Sequence, residues 1–386
     1  MNSCPISAHC GGCAYNGLIY PQTLELKQKK TEALLGGFGL VRPIIGMEHP
    51  FHYRNKVHQV FFRDGGGVLQ SGYYAAGSHR VYAVRDCLID DAKCQEIIAT
   101  VRALAREQKL SVYDERRRTG FLRHVLVRRG FATGEIMVVL VVTDPVFHGR
   151  SRFLTALTEA HPEISSVVLN VNDRKTTMVL GEKNIPLYGP AFIEDELMGL
   201  RFRLSPSAFY QINPVQTAAL YRTALDLAAL GPEDVVLDAY CGIGTIGLLA
   251  AAEGAGKVIG VELNKAAVRD ARVGARNNGI SRAEFVAGDA TLFMEELTAR
   301  GEKLSAVLLD PPRSGSTERF FSACAALAPD RIVYVSCNPE TQARDLAFIT
   351  KKGYAVRAIQ PVDMFPFTDS IETVCLLSRV SGTKHS

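Results

Sequence analysis

Apolar and polar positions along the chain follow two regimes that meet near residue 205. After Pro206, short apolar runs alternate with helical patterns: VVLD (235–238), VIGVEL (258–263), AEFVAG (283–288), AVLLD (306–310), IVYVSC (332–337), VRAIQPV (356–362) and ETVCLLS (372–378). Apolar strands separated by helices predict an α/β domain with a doubly wound, mostly parallel sheet buried on both faces. Only a loop separates the last two runs, which predicts a closing antiparallel hairpin. Before residue 205 the pattern is less regular. QTLELKQKKTEALL (22–35) reads as an amphipathic helix, and KVHQVFF, HVLVRR and IMVVLVV read as strands mixed with turns and two helical patches. That is an α+β pattern. The expected division is an α+β region over 1–205 and a catalytic domain over 206–386, with helix 22–35 free to pack across onto the second.

Composition narrows the class. The longest apolar run, MVVLVV (137–142), is far too short to cross a bilayer. The start, MNSCPISAHC, has neither the basic region nor the apolar core of a signal peptide. A cytoplasmic address and no membrane partner are therefore expected, and in a reducing compartment the nine cysteines argue poorly for disulfides. The net charge of +4 is uneven: residues 1–205 carry 26 Lys+Arg against 20 Asp+Glu, and 206–386 carry 18 against 20. Residues 101–130 hold nine basic and three acidic side chains, including Arg116, Arg117, Arg118, Arg128 and Arg129. Such a cluster suits a phosphate backbone; it also suits a solvated charged face.

LDAYCGIGTIGLLAA (237–251) contains G-x-G-x-x-G at Gly242, Gly244 and Gly247, between a strand and a helix, and Glu262 lies in the next strand. This Rossmann-like context fits NAD, and it fits S-adenosylmethionine (SAM) equally, because both present a ribose to the acid. Asp238 separates them. A carboxylate ahead of the glycines repels a pyrophosphate and attracts the cationic amino-acid end of SAM.

LLDPPRSG (308–315) puts Asp310 at the fourth strand's end, followed by Arg313 where amino-methylating enzymes tend to have an aromatic residue. The next strand ends in Cys337, so neighbouring tips are expected to offer an acid and a thiol to one cleft. Carbon 5 of a pyrimidine is a poor nucleophile until a thiolate adds to carbon 6. A base must then remove the carbon 5 proton to release the thiol. Cys337 fits the nucleophile, and Glu372, which opens the last strand, is the candidate base.

Six blocks in order carry a resemblance beyond any single motif: FYQIN (209–213), DAYCGIGTIGL (238–248), VIGVELN (258–264), DPPRSG (310–315), YVSCNP (334–339) and DMFPFTDSIETV (363–374). Together with the cysteine-rich start, they make the chain similar to the SAM-dependent RNA uracil-5-methyltransferases, which make 5-methyluridine in 23S ribosomal RNA and tRNA. The resemblance implies a class I methyltransferase domain. It implies SAM contacts at Gln211, Tyr240, Glu262 and Asp310, beside the loop residues Asp238, Gly242 and Gly244. It also implies Cys337 as nucleophile and Glu372 as proton-abstracting base.

Cys4, Cys10 and Cys13 give C-x5-C-x2-C, with Cys87 as a distant fourth. Spacing alone leaves structural zinc and an iron–sulfur cluster both open. The resemblance selects a [4Fe–4S] cluster, which the ribosomal members carry on this pattern. Many relatives also have a small β-barrel, the TRAM domain, ahead of the cysteines. This sequence begins at the cysteines, so region 50–205 is expected to carry most of the RNA contact. The layout resembles the 23S rRNA members, and the tRNA-specific bacterial relatives usually lack the cysteine cluster. A monomer acting on RNA, and not on DNA, is expected. The rivals are tRNA uracil methylation, RNA cytosine-5 methylation and an RNA-binding assembly protein without turnover.

Overall fold

The computed structural model describes residues 4, 6–7, 9–176 and 178–380; residues 1–3, 5 and 8 of the N-terminal stretch lie outside that set. The first half runs through α1 (Tyr20–Leu35), β1 (Lys56–Arg63), β2 (Leu69–Tyr74), β3 (Val81–Ala83), α2 (Ala92–Glu107), β4 (Leu122–Arg129), β5 (Ile136–Val142), α3 (Arg150–Ala160), β6 (Ile164–Val171), β7 (Lys183–Tyr188), β8 (Ile193–Leu197) and β9 (Leu200–Leu204). The second half runs through α4 (Pro214–Ala228), β10 (Val235–Ala239), α5 (Thr245–Ala252), β11 (Lys257–Glu262), α6 (Lys265–Asn277), β12 (Ala283–Ala287), α7 (Ala290–Arg300), β13 (Ala306–Leu309), α8 (Glu318–Leu327), β14 (Arg331–Ser336), α9 (Pro339–Ile349), β15 (Tyr354–Val362) and β16 (Glu372–Arg379).

Each of the seven apolar runs after Pro206 is a strand, and together they form one sheet in the order β12-β11-β10-β13-β14-β16-β15. The first five are parallel, and β16 runs antiparallel between β14 and β15, as the loop-joined hairpin predicts. Alternate residues feed opposite layers. Val236, Val258, Leu308 and Val333 pack with α4, α5 and α6. Leu237, Ile259, Val307 and Ile332 pack with α7, α8 and α9. Burial on both faces explains why these strands read as unbroken apolar runs. The order reverses between β10 and β13, so their C-terminal ends open a crevice.

The other large sheet has the order β3-β2-β1-β4-β5-β6-β7 and is antiparallel except between β5 and β6. The MVVLVV run lies in its middle. Val138, Leu140 and Val142 face the core under α2 and α3, while Met137, Val139 and Val141 join the core of α4 and the β8–β9 hairpin. Helix α1 packs against α9 and β15, and the chain after it bridges to β15 at Val41–Ile359 and Ile45–Val362. Among the described residues no helix is long and apolar enough to cross a membrane.

Candidate active site

At the strand tips of the C-terminal sheet lies a cavity of about 750 Å³ whose wall includes Gln211, Asp238, Tyr240, Gly242, Glu262, Asp310, Cys337 and Glu372. Gly244 is not on that wall. It is the N-cap of α5 with φ +78°, and a Cβ there would sit 2.6 Å from the Phe285 ring. Its task is the turn that aims the helix, which only a residue without a Cβ performs at that spacing.

The loop is braced by the acids at the tips. Asp238 Oδ2 accepts the Gly247 amide at 2.9 Å, and a Cβ on Gly247 would lie 2.7 Å from that oxygen. Glu262 accepts the Gly242 amide at 3.1 Å and the Asn264 amide at 2.7 Å, leaving each oxygen a further lone pair for a ribose hydroxyl. Tyr240, at φ +63°, bonds its hydroxyl to Ser316 at 2.9 Å. Burial pushes the Asp238 carboxyl up to about 8, with Asp310 and Glu262 adding repulsion against the Gly247 bond. The site is thus poor in compensation for negative charge and suits a cationic ligand.

Sheet register brings Cys337 and Glu372 together. Ser336 pairs with Thr373, so the residues one step outward on β14 and β16, Cys337 and Glu372, stand opposite each other. In YVSCNP, Asn338 caps α9 through the Glu340 amide at 3.1 Å and Pro339 takes the first helical position. The thiol therefore sits in a two-sided turn between a strand end and a helix start. Burial, with Glu372 and Asp310 adding to it, lifts Cys337 to about 11 against the opposing Arg313 guanidinium. Burial raises Asp310 to about 7 and holds Glu372 well above the ordinary carboxylate range, with Asp310 adding repulsion. Among the described residues Glu372 Oε2 is fully buried and has no hydrogen-bond donor. The arrangement puts a thiol and a buried carboxyl group on the lining of one cavity.

Three wall residues escaped the sequence reading as site members. Tyr221 lies on the apolar face of α4, where it reads as core, yet it stands beside Asp310, Glu372 and Gln211. Asp289 caps α7 at the tip of β12 and lines the cavity. Its signal was present, as one more strand tip ending in an acid after Asp238 and Glu262. Arg313 was read only for what it is not; here its backbone carbonyl accepts from Asn338 and Thr341, which tie its loop to the Cys337 turn.

The N-terminal cysteines surround a different cavity, of about 700 Å³, lined by Cys4, Cys10, Cys13 and Cys87 together with Arg54, His58 and Tyr73. The Gly12 amide donates to Cys10 Sγ at 3.4 Å. Burial, with Cys10 and Cys4 adding to it and Arg54 opposing, lifts Cys13 to about 11. Among the described residues no three His, Cys, Asp or Glu side chains are gathered closely enough to hold a metal ion.

The basic cluster of 101–130 is not one face. Arg128 is 1% exposed and donates to the carbonyls of Ser205 and Ala208 at 3.2 and 2.8 Å. Arg123 is buried, bonds the Asn172 and Arg174 carbonyls, and lies over the Tyr113 ring. Both satisfy irregular backbone that has no sheet partner. Arg116, Arg117 and Arg118 remain exposed, on the turn before β4.

Residues 19–380 match the sequence pattern of a family described as tRNA (uracil-5-)-methyltransferase. An uncharacterized RNA methyltransferase of Clostridium tetani is 39% identical, over 99% of this chain and 83% of that protein. One from Halalkalibacterium halodurans is 41% identical, over 97% of this chain and 82% of that protein. Among solved structures, the Pyrococcus abyssi tRNA (uracil-54, C5)-methyltransferase in complex with S-adenosyl-L-homocysteine superposes with a TM-score of 0.81 at 28% identity. It covers 95% of this chain and 86% of that one.

Proposed function

The chain belongs to the tRNA (uracil-5-)-methyltransferase family, and we propose that it methylates carbon 5 of a uridine in 23S rRNA with SAM as donor. One observation carries the mechanism: Cys337 and Glu372 face each other across β14 and β16 on the wall that also holds Asp238 and Glu262. SAM supplies a methyl group on a sulfonium. Glu262 suits its ribose and Asp238 its cationic end. Cys337 Sγ bonds to carbon 6 as a thiolate, and the π electrons of the C5=C6 bond shift towards carbon 5. Carbon 5 takes the methyl as the sulfonium–carbon bond breaks. Glu372 takes the carbon 5 proton, the C5=C6 bond re-forms, and the Cys337–C6 bond breaks to return the thiolate. A buried base with no donor to satisfy it is well suited to that proton. The uridine has to leave its stack, because carbon 6 is shielded within one.

The four thiols lining the second cavity are the donor type a [4Fe–4S] cluster takes, and an amide is directed at one sulfur, although among the described residues they are not gathered closely enough to hold a metal ion. Cys4, Cys10, Cys13 and Cys87 would hold it, and it would brace the N-terminal segment. Protein purified without oxygen should show the visible iron–sulfur band and lose it in Cys10→Ser/Cys13→Ser; a colourless protein overturns this part.

Glu372→Gln should accumulate a covalent adduct with ordinary RNA while its turnover falls about 10²–10⁴-fold; undiminished turnover sinks the base assignment. The target RNA is read by mapping 5-methyluridine by mass spectrometry in cells lacking the protein. The structural likeness to a tRNA enzyme favours the second reading, tRNA. A mark missing from tRNA alone would select it over 23S rRNA.

A further inference from the structure

Helix α1 carries a lysine that is 0% exposed, and its ammonium donates to three acceptors on one loop. Lys27 Nζ meets Asp363 Oδ1 at 2.5 Å, the Phe365 carbonyl at 3.0 Å and the Ser370 carbonyl at 2.9 Å. Tyr20, two turns earlier on the same face of the helix, donates its hydroxyl to the other Asp363 oxygen at 2.8 Å and accepts the Met47 amide at 2.8 Å. Asp363 in turn donates its amide to the Ile45 carbonyl at 2.9 Å.

This loop, residues 363–371, joins β15 to β16 and ends at Glu372. Its Phe365 and Ser370 stand on the active-site wall, and the ammonium therefore grips the loop at its start and two residues before the base. Burial presses Lys27 towards its neutral form, and the Asp363 carboxylate opposes this. An apolar pair of the same volume would match such an ion pair in stability. What the pair adds is direction, with three bonds fixing where both loop ends lie. Glu372 needs that, because its buried Oε2 has no donor among the described residues to orient it.

We propose that Lys27, with Tyr20 and Asp363, is a positioning residue for Glu372, holding the β15–β16 loop so that the carboxylate meets the carbon 5 proton. The inference rests on the reading of Glu372 as base. It separates two steps: adduct formation at Cys337 does not need the loop held to that accuracy, and proton removal does. An error of about 1 Å in placing a catalytic group costs about 100-fold.

The test uses the full chain, RNA from cells lacking this protein, and the same RNA from cells grown with 5-fluorouracil. Fluorine cannot be removed as a proton, so the second RNA reports addition and methyl transfer alone. Lys27→Met should trap fluorinated RNA at a rate close to that of the unaltered enzyme. On ordinary RNA its turnover should fall about 100-fold, with covalent adduct accumulating. Tyr20→Phe keeps the ion pair and loses the hydroxyl's bonds to Asp363 and to the Met47 amide, so it serves where Lys27→Met folds poorly. Its turnover should fall about threefold to tenfold with trapping unchanged. Parallel loss of trapping and turnover in both variants, or no loss in either, overturns the inference. If Glu372→Gln itself turns over freely, the base assignment has failed. If Glu372→Gln stalls as adduct and the α1 variants do not, only the positioning role has failed.

Discussion

The two cavities are nearly equal in size, about 750 and 700 Å³, and are built by different means. In the active site every acid and the thiol sits at or beside a strand end, so hydrogen-bonded register sets their spacing. In the cysteine cavity the four thiols sit outside regular strands and helices, on the segment before α1 and on the stretch between β3 and α2. A sheet fixes distances without help from a ligand; loops of this kind reach a fixed geometry mainly through what they bind. The β15–β16 loop touches both, since Phe365 and Ser370 line one cavity and Phe367 lines the other. The difference therefore separates a site whose spacing is set by sheet register from one whose spacing is set by loops.

The largest effect that tests this contrast comes from exchanging one sulfur on each side. Cys337→Ser should reduce methyl transfer to background and form no trapped complex with 5-fluorouridine RNA. Cys13→Ser should keep measurable methyl transfer and lower the melting temperature instead. Equal loss of activity in both, at equal stability, would remove the distinction between the cavities.

A smaller effect comes from the glycine loop. Gly247→Ala places a methyl 2.7 Å from Asp238 Oδ2 and displaces the amide that the carboxylate accepts. A buried carboxylate left short of a donor costs about 1–3 kcal/mol, so the KM for SAM should rise about tenfold or more with kcat less affected. An unchanged KM would mean that the brace is not part of the SAM site.

Charge in the same pocket predicts a pH dependence of stability. Burial raises Asp238 from 3.8 to about 8 and Asp310 to about 7. A carboxyl raised in the folded state stabilises fully below its unfolded value and loses that contribution as pH climbs through the folded one. The melting temperature without SAM should therefore fall between about pH 4 and pH 8. Asp238→Asn should flatten the fall, and saturating SAM should also flatten it by compensating the ionised acids. A melting temperature that rises over that window would refute the origin assigned to the shift.

Much of the catalytic half was legible because its signals are local. A strand buried on both faces announces itself as an apolar run, and each tip ends in a residue that is costly to bury. Tyr221 was hidden because a helix face turned towards a cavity has the same periodicity as one turned towards core. The pairing of Lys27 with Asp363 was hidden because the two are 336 residues apart and a lysine in an amphipathic helix reads as solvated. Arg128 misled for a related reason. Composition counts charges, and nothing in a run of strand residues says which of them end against a backbone carbonyl.

That last point yields the smallest expected effect and the sharpest division within one cluster. Arg116, Arg117 and Arg118 are exposed on one turn, whereas Arg128 is spent on the Ser205 and Ala208 carbonyls. If the turn contacts RNA phosphates, each arginine replaced by alanine should lower the slope of log affinity against log salt by roughly 0.7–0.9. Thermal stability should hardly change. Arg128→Met should leave the slope alone and cost about 1–3 kcal/mol of stability, because the Ala208 carbonyl loses its donor while that of Ser205 keeps only the Ala208 amide. A salt slope that answers to Arg128 and not to the turn would place the phosphate contacts elsewhere on the N-terminal region. It would also show that the buried guanidinium reaches RNA through a rearrangement of the 205–208 segment.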